Sequence, residues 1–215
     1  IEIPKSIEEI AAKYIEEMIA VDPNGPYSIA GYSLGGFFAC EMAKQLQLMG
    51  KTVKMVGIID TYASTGEKLD SSDQIMKKIK RQFYKVPFFI NSFQKYPQET
   101  IAYQAKLLRH KITKFSSDDV AVKDQLLSDY EMSIYQNYSN ALKNYELHPY
   151  NIRVTLFRAQ KRLYYLDDQK YLGWNNYALQ GVDIKEIPGD HKTFLYPPND
   201  RVFVEIVQSA LNAIG

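Results

Sequence analysis

The chain has 215 residues, 46% hydrophobic and 24% charged, with 26 Lys and Arg against 25 Asp and Glu for a formal net charge of +1. That length and balance fit one well-cored globular body and exclude a nucleic-acid footprint; the local cluster Lys77, Lys78, Lys80, Arg81 and Lys85 reads as the solvated face of a helix. The one cysteine, Cys40, excludes an intrachain disulfide framework and reads as a core residue, no run of about 18 apolar residues can span a bilayer, and residues 1–21 are too charged for a signal peptide, so a cytoplasmic location is expected.

Ser6 followed by Glu9 forms a capping box, and Ile7, Ile10, Ala11, Tyr14, Ile15, Met18 and Ile19 recur at helical spacing. Together they predict an amphipathic helix that ends near Asp22-Pro23-Asn24-Gly25. A short apolar strand, Tyr27 to Ala30, then leads into Gly31-Tyr32-Ser33-Leu34-Gly35, and a helical run follows from Gly36 to Met49. A G-x-S-x-G sequence in this setting reads as a nucleophile elbow. The turn is so tight that the serine is pushed into strained backbone geometry with its hydroxyl above the sheet edge, and Gly31 and Gly35 keep side chains from colliding there. The pentapeptide alone is a common pattern, and its flanks single it out. Gly36 adds a small residue where the helix must lie close to the strand, and Phe37, Phe38, Cys40, Met42, Ala43 and Leu46 make that helix apolar on most sides, as a helix beside a central strand should be. The chemistry indicated is nucleophilic acyl transfer.

Gly50 marks a stop, and Val53 to Asp60 is a short apolar run that fits a buried parallel strand. From about Ser71 to Leu147 the pattern is helical. Ile75, Ile79 and Phe83 share one face, Ile101, Ala105 and Leu108 another, and Val120, Leu127, Tyr130, Ile134, Tyr138, Ala141 and Tyr145 a longer third stripe. Many of the 17 tyrosines lie between Tyr84 and Tyr150, which predicts an aromatic surface with polar tips. Strands resume at Ile152 to Phe157 and at Val182 to Ile187, and a helix from about Asp200 to Ile214 closes the chain. The organisation expected is an α/β core over residues 1–60 and 152–215, interrupted by a helical insertion over 61–151.

A serine needs a base to take its proton and a third group to orient that base. His191 follows the strand Val182 to Ile187 through Pro188-Gly189-Asp190, on the sheet edge that also carries Ser33, and is the best base by placement. His110 and His148 fall within the helical insertion and read as surface or helix-end residues. The acid stays open between Asp60, at the end of the strand after the elbow unit, and Asp167 or Asp168, after the next strand; both placements reach the same edge. Asp190, adjacent to His191, reads as a loop-shaping residue.

The run from Gly25 to Gly36 (GPYSIAGYSLGG), the strand end Ile58-Ile59-Asp60, the loop Pro188-Gly189-Asp190-His191, and Trp174 after Gly173 together resemble the thioesterase domains that terminate nonribosomal peptide synthetases and polyketide synthases. The resemblance runs in order through almost the whole chain. It implies an α/β-hydrolase fold with a helical lid over an acyl channel, Ser33 as nucleophile, His191 as base and Asp60 as acid. The reaction it implies is release of a peptidyl or polyketidyl chain from the 4'-phosphopantetheine arm of a carrier protein, by hydrolysis or macrocyclisation, with no metal or soluble cofactor. Stand-alone editing relatives place the acid after the following strand, which keeps Asp167 and Asp168 in view. The family begins with strands and a glycine-containing loop that adds an oxyanion donor, whereas this chain starts at the helix before the elbow strand. A sheet lacking those N-terminal strands is therefore expected, with the Leu34 N–H as the oxyanion donor on offer and activity impaired; one lost donor costs about 2.7 to 4 kcal/mol. The competing readings are an editing thioesterase, a general carboxylesterase, and a non-catalytic module that docks a carrier protein.

Overall fold

The computed structural model describes residues 4–63, 71–113 and 129–214. Val120 and Leu127 of the expected third stripe lie outside the described residues, as do the side chains of Ile75, Lys77, Lys78, Ile79, Lys80, His110, Tyr130 and Ile134. Two compact units form: Ile1–Gly66 with Asn140–Lys161 and Asp168–Gly215, and Glu67–Ser139 with Arg162–Asp167.

In the first unit, helix α1 (Ile7–Val21) starts where the Ser6 hydroxyl accepts the Glu9 amide at 3.1 Å. The Glu9 carboxylate reaches back to the Lys5 amide at 2.7 Å rather than to that of Ser6. Ile7, Ile10, Ala11 and Ile15 are its buried stripe. Strand β1 (Tyr27–Tyr32) leads into helix α2 (Gly35–Leu48), which is buried from Gly36 through Ala43 and again at Leu46. Strand β2 (Val53–Ile59) buries Met55 to Ile58 without alternation, as a parallel strand covered on both faces does.

Strands β3 (Val154–Ala159) and β4 (Val182–Ile187) complete a four-stranded sheet in the order β1-β2-β3-β4, all parallel. Strand β3 starts two residues later than its apolar run predicts. The Ile152 amide turns back to the Tyr150 carbonyl at 2.8 Å, and ladder pairing begins only at Val154. Strand β1 buries alternate residues and leaves Ser28, Ala30 and Tyr32 exposed, as a strand covered on one face does, and among the described residues it pairs on one side only. The register places Tyr32 beside Ile59, Ile59 beside Phe157 and Ala159 beside Ile187, so the loops that follow all four strands leave from one sheet edge.

Around that edge the core is aromatic. Phe157, Ile187 and Phe194 are fully buried, and Phe203, Ile206 and Val207 of the closing helix pack against them. Trp174, also fully buried, lies 5.9 Å from Phe37 and donates its indole N–H to the Thr61 carbonyl at 2.7 Å. One carboxylate is buried inside α2: Glu41 accepts from the Tyr145 hydroxyl and from Gln45, both at 3.0 Å, and pairs with Lys44 at 3.2 Å.

The second unit contains α3 (Ser71–Lys95) and α4 (Pro97–Thr113). Their corner is fixed by two buried hydroxyls, Ser92 and Thr100, 3.0 Å apart, with Thr100 also donating to the Ser92 carbonyl. Phe83, Ile90, Ile101 and Leu108 stay exposed on these helices. Helix α5 (Asp129–Asn144) precedes β3, and α6 (Asn199–Asn212) closes the chain. Among the described residues no helix is long and apolar enough to cross a membrane.

Candidate active site

Ser33 sits between β1 and α2 with φ 53, in the left-handed region that a side chain seldom occupies. Its backbone is held from the end of β2. The Ser33 N–H donates to the Ile59 carbonyl at 3.2 Å, while its own carbonyl accepts the Gly36 amide at 3.1 Å and the Thr61 hydroxyl at 2.6 Å. A Cβ on Gly31 would stand 1.8 Å from the Gly35 carbonyl oxygen, and one on Gly36 would stand 2.4 Å from the Thr61 hydroxyl. A Cβ on Gly35 would meet nothing within 4 Å. The steric demand expected of Gly31 and Gly35 thus falls on Gly31 and Gly36, because the turn folds Gly31 onto the backbone of Gly35 and packs Gly36 against β2. Leu34 caps α2, and its N–H is among the helix-end amides that have no intrahelical acceptor.

Asp60, directly after β2, also has a left-handed backbone, φ 47. Its amide bonds to the Phe157 carbonyl at 2.8 Å and turns a fully buried carboxylate toward the sheet edge. One oxygen accepts the Ala159 amide at 3.0 Å, and the other lies 2.9 Å from His191 Nδ1. With Nδ1–H donated to that carboxylate, Nε2 is left with a lone pair able to take a proton. The imidazole is partly exposed.

The loop that carries His191 is tied down at several points. Gly189 has φ 76, and its carbonyl accepts the Lys161 amide at 2.8 Å. Asp190 gathers the Lys192 and Thr193 amides at 2.9 and 3.0 Å. Burial pushes the Asp190 carboxyl up, but those amides, the Thr193 hydroxyl and the Lys161 charge outweigh it and hold it below its ordinary value. Asp190 shapes the loop, as its place in the sequence suggests.

The alternative carboxylates are engaged elsewhere. Asp168 spends both oxygens on its own loop, accepting the amides of Lys170, Tyr171 and Gly173, each at 3.0 Å. Asp167 pairs with Arg81 at 3.4 Å. His148 is exposed and lies 3.8 Å from Glu146. Among the described residues no group of three His, Cys, Asp or Glu is placed to hold a metal ion.

Two contacts at the elbow carried no signal in the sequence. Thr61 straps the carbonyl of Ser33, and Tyr32, noticed only as part of the elbow, donates its hydroxyl to the His191 carbonyl at 2.5 Å. Both are contacts between residues far apart in the chain, beyond the reach of periodicity or local motif.

A parallel sheet with a strained serine at a strand-to-helix turn, and a carboxylate–imidazole pair on the loops beside it, defines an α/β-hydrolase. Within that class the chain belongs to the thioesterase domain family, whose match covers residues 2–211. The dimodular nonribosomal peptide synthase of Bacillus subtilis (strain 168) is 43% identical over 61 residues, covering 28% of this chain and 3% of that protein. Atromentin synthetase invA5 of Paxillus involutus is 25% identical over 221 residues, 98% of this chain and 23% of that protein. The chain therefore spans only a small part of the curated relatives it matches. Among solved structures, the covalent complex of the NocB thioesterase domain with a fluorophosphonate nocardicin G analogue superposes with a TM-score of 0.60 at 18% identity, covering 98% of this chain and 77% of that one.

Proposed function

We propose that this thioesterase domain releases a peptidyl or polyketidyl chain from a carrier protein through an acyl-serine intermediate. The observation that carries this reading is the buried Asp60 against His191 Nδ1 at the sheet edge where Ser33 is held in a strained turn. Ser33 is the nucleophile, His191 the base, Asp60 the group that fixes its tautomer, and the Leu34 N–H an oxyanion donor. His191 Nε2 takes the Ser33 proton as the hydroxyl attacks the thioester carbonyl, and the thiol of the 4'-phosphopantetheine arm leaves with a proton. His191 then deprotonates the acceptor as it attacks the acyl-serine ester, and returns that proton to the Ser33 oxygen as the acyl–Ser33 bond breaks. Water gives a free acid, and an amine or hydroxyl of the bound chain gives a ring. No cofactor takes part in either half.

The synthetase names among the relatives support a carrier-bound substrate, and the NocB complex supports covalent capture by fluorophosphonates. Ser33 and the imidazole are not hydrogen-bonded to each other in the resting structure, a contact that often tightens only around a substrate. The test is mass spectrometry after exposure to a fluorophosphonate, paired with thiol release from an acyl-pantetheine thioester and turnover of its oxygen-ester analogue. The reading expects one adduct on Ser33, none in Ser33→Ala, and preference for the thioester. An unlabelled wild-type protein that leaves the thioester intact would sink it.

A further inference from the structure

We propose that Tyr32 is a positioning residue that sets the approach of His191 to Ser33; the proposal rests on the catalytic roles assigned above. Ser33 follows β1 and His191 lies on the loop after β4, at opposite ends of the four-stranded sheet order. The imidazole is anchored on one side by Asp60, and its loop is anchored beneath by the Lys161 amide on the Gly189 carbonyl. The Asp60 contact reaches the elbow only through its chain neighbours, the Ile59 carbonyl and the Thr61 hydroxyl on the Ser33 backbone, and the Lys161 contact does not reach it. Tyr32 reaches it directly, because it immediately precedes Ser33 and touches His191 twice. Its hydroxyl donates to the main-chain carbonyl of His191 at 2.5 Å, and its ring lies 5.0 Å from the imidazole at an interplanar angle of 36°.

The grip is braced from behind. Phe194, fully buried, meets the Tyr32 ring edge-on at 5.2 Å and packs in turn on Phe203 at 4.9 Å. A rigid aromatic ring with two rotatable bonds, held by the core at one face and bonded at its tip, fixes a distance better than a longer polar side chain can. Ser33 leaves the same backbone one residue later in a conformation the elbow over-determines, so any movement of Tyr32 relative to His191 is a movement of the base relative to the nucleophile. Near-attack geometry is sensitive at this scale, since a misplacement of about 1 Å can cost about a hundredfold in rate.

Wild type, Tyr32→Phe and Tyr32→Leu test the idea. Removing the hydroxyl alone should lower kcat about tenfold, and removing hydroxyl and ring together about a hundredfold, both with KM for an acyl-pantetheine thioester unchanged. A direct readout is the downfield proton NMR signal of His191 Nδ1–H, identified by its loss in Asp60→Asn. It should exchange faster in Tyr32→Phe than in wild type, while the urea midpoint, a measure of mere structural damage, moves little. Wild-type kcat and an unaltered proton signal in Tyr32→Phe overturn this proposal alone, provided wild type turns over and labels at Ser33. Failure of wild type to label or turn over overturns the functional reading and this proposal with it.

Discussion

His191 Nδ1 stands 2.9 Å from Asp60 Oδ2, and the other oxygen of that carboxylate is taken by the Ala159 amide, so the carboxylate is held from both sides against the imidazole. Asp60→Asn tests the pair without emptying the site. The amide oxygen can still accept from Ala159, but its NH2 then faces Nδ1 and drives the imidazole to the other tautomer, with Nε2 protonated and useless as a base. The expected loss is about 10⁴-fold in kcat with the fold kept. Steady-state thiol release, with circular dichroism as a control, measures it. Asp167→Asn should leave kcat unchanged, and a loss there matching that of Asp60→Asn would count against Asp60.

Thr61 gives a second prediction. Its buried hydroxyl donates to the Ser33 carbonyl at 2.6 Å, with the Ile59 carbonyl farther off at 3.3 Å. Thr61→Val keeps the shape and removes the donor, so stability should fall by about 0.5–1.5 kcal/mol, while Thr61→Ser should retain most of it. Urea unfolding of the two variants side by side decides the matter. Equal stability of Val and Ser variants would mean that the elbow holds its serine without this strap.

What the sequence made legible follows from how local each requirement is. The elbow could be read because a chain that turns from strand to helix within five residues needs small residues at defined offsets, and Gly31 and Gly36 meet backbone and Thr61 at distances no Cβ tolerates. The placement of His191 could be read because a parallel sheet sends every strand-end loop to one edge. The acid stayed open for the same reason. Asp60, Asp167 and Asp168 all follow strands of that sheet, and what separates them is the bond of the Asp60 amide to Phe157 and the inward collection of loop amides by Asp168. Glu41 and Tyr145 lie 104 positions apart, and neither the mixed apolar character of α2 nor the stripe ending at Tyr145 announces that a carboxylate is buried between them. The exposed Phe83, Ile101 and Leu108 set a similar limit, since helical spacing identifies a face but not what covers it.

The α2 interior makes the protein sensitive to alkali. Burial is the main cause that pushes the Cys40 thiol from its ordinary 9.0 to about 12, with the neighbouring Glu41 charge adding to it and Lys44 opposing. Burial, followed by the Glu41 charge, likewise pushes the Tyr145 phenol above its ordinary 10.0. In both cases the folded protein keeps a proton that the unfolded chain releases. Stability is then fully present below pH 9 and falls as pH rises toward 12, by about 1.4 kcal/mol per pH unit for each group releasing its proton only when unfolded. Unfolding free energies from urea titrations at successive pH values should show that decline. Cys40→Ala should remove the part beginning at pH 9, and Tyr145→Phe the part beginning at pH 10. Stability flat across this range would refute the assignment of these buried protons.

Ser33→Gly separates the cost of the elbow from its use. At φ 53 a residue with a Cβ carries a penalty of roughly 1–2 kcal/mol that glycine escapes. The greater freedom of glycine in the unfolded chain returns about 0.4–1 kcal/mol of that. The glycine variant should therefore be inactive yet about 0.5–1 kcal/mol more stable than Ser33→Ala, which loses the hydroxyl but keeps the strained backbone. The comparison is made between two inactive proteins, so neither substrate nor lost chemistry enters it, and a shift in urea midpoint at constant slope reads it directly. If the alanine variant were the more stable, the turn would not be strained at this residue, and the bonds from Ile59, Gly36 and Thr61 would be stabilising a relaxed conformation rather than holding a costly one in place.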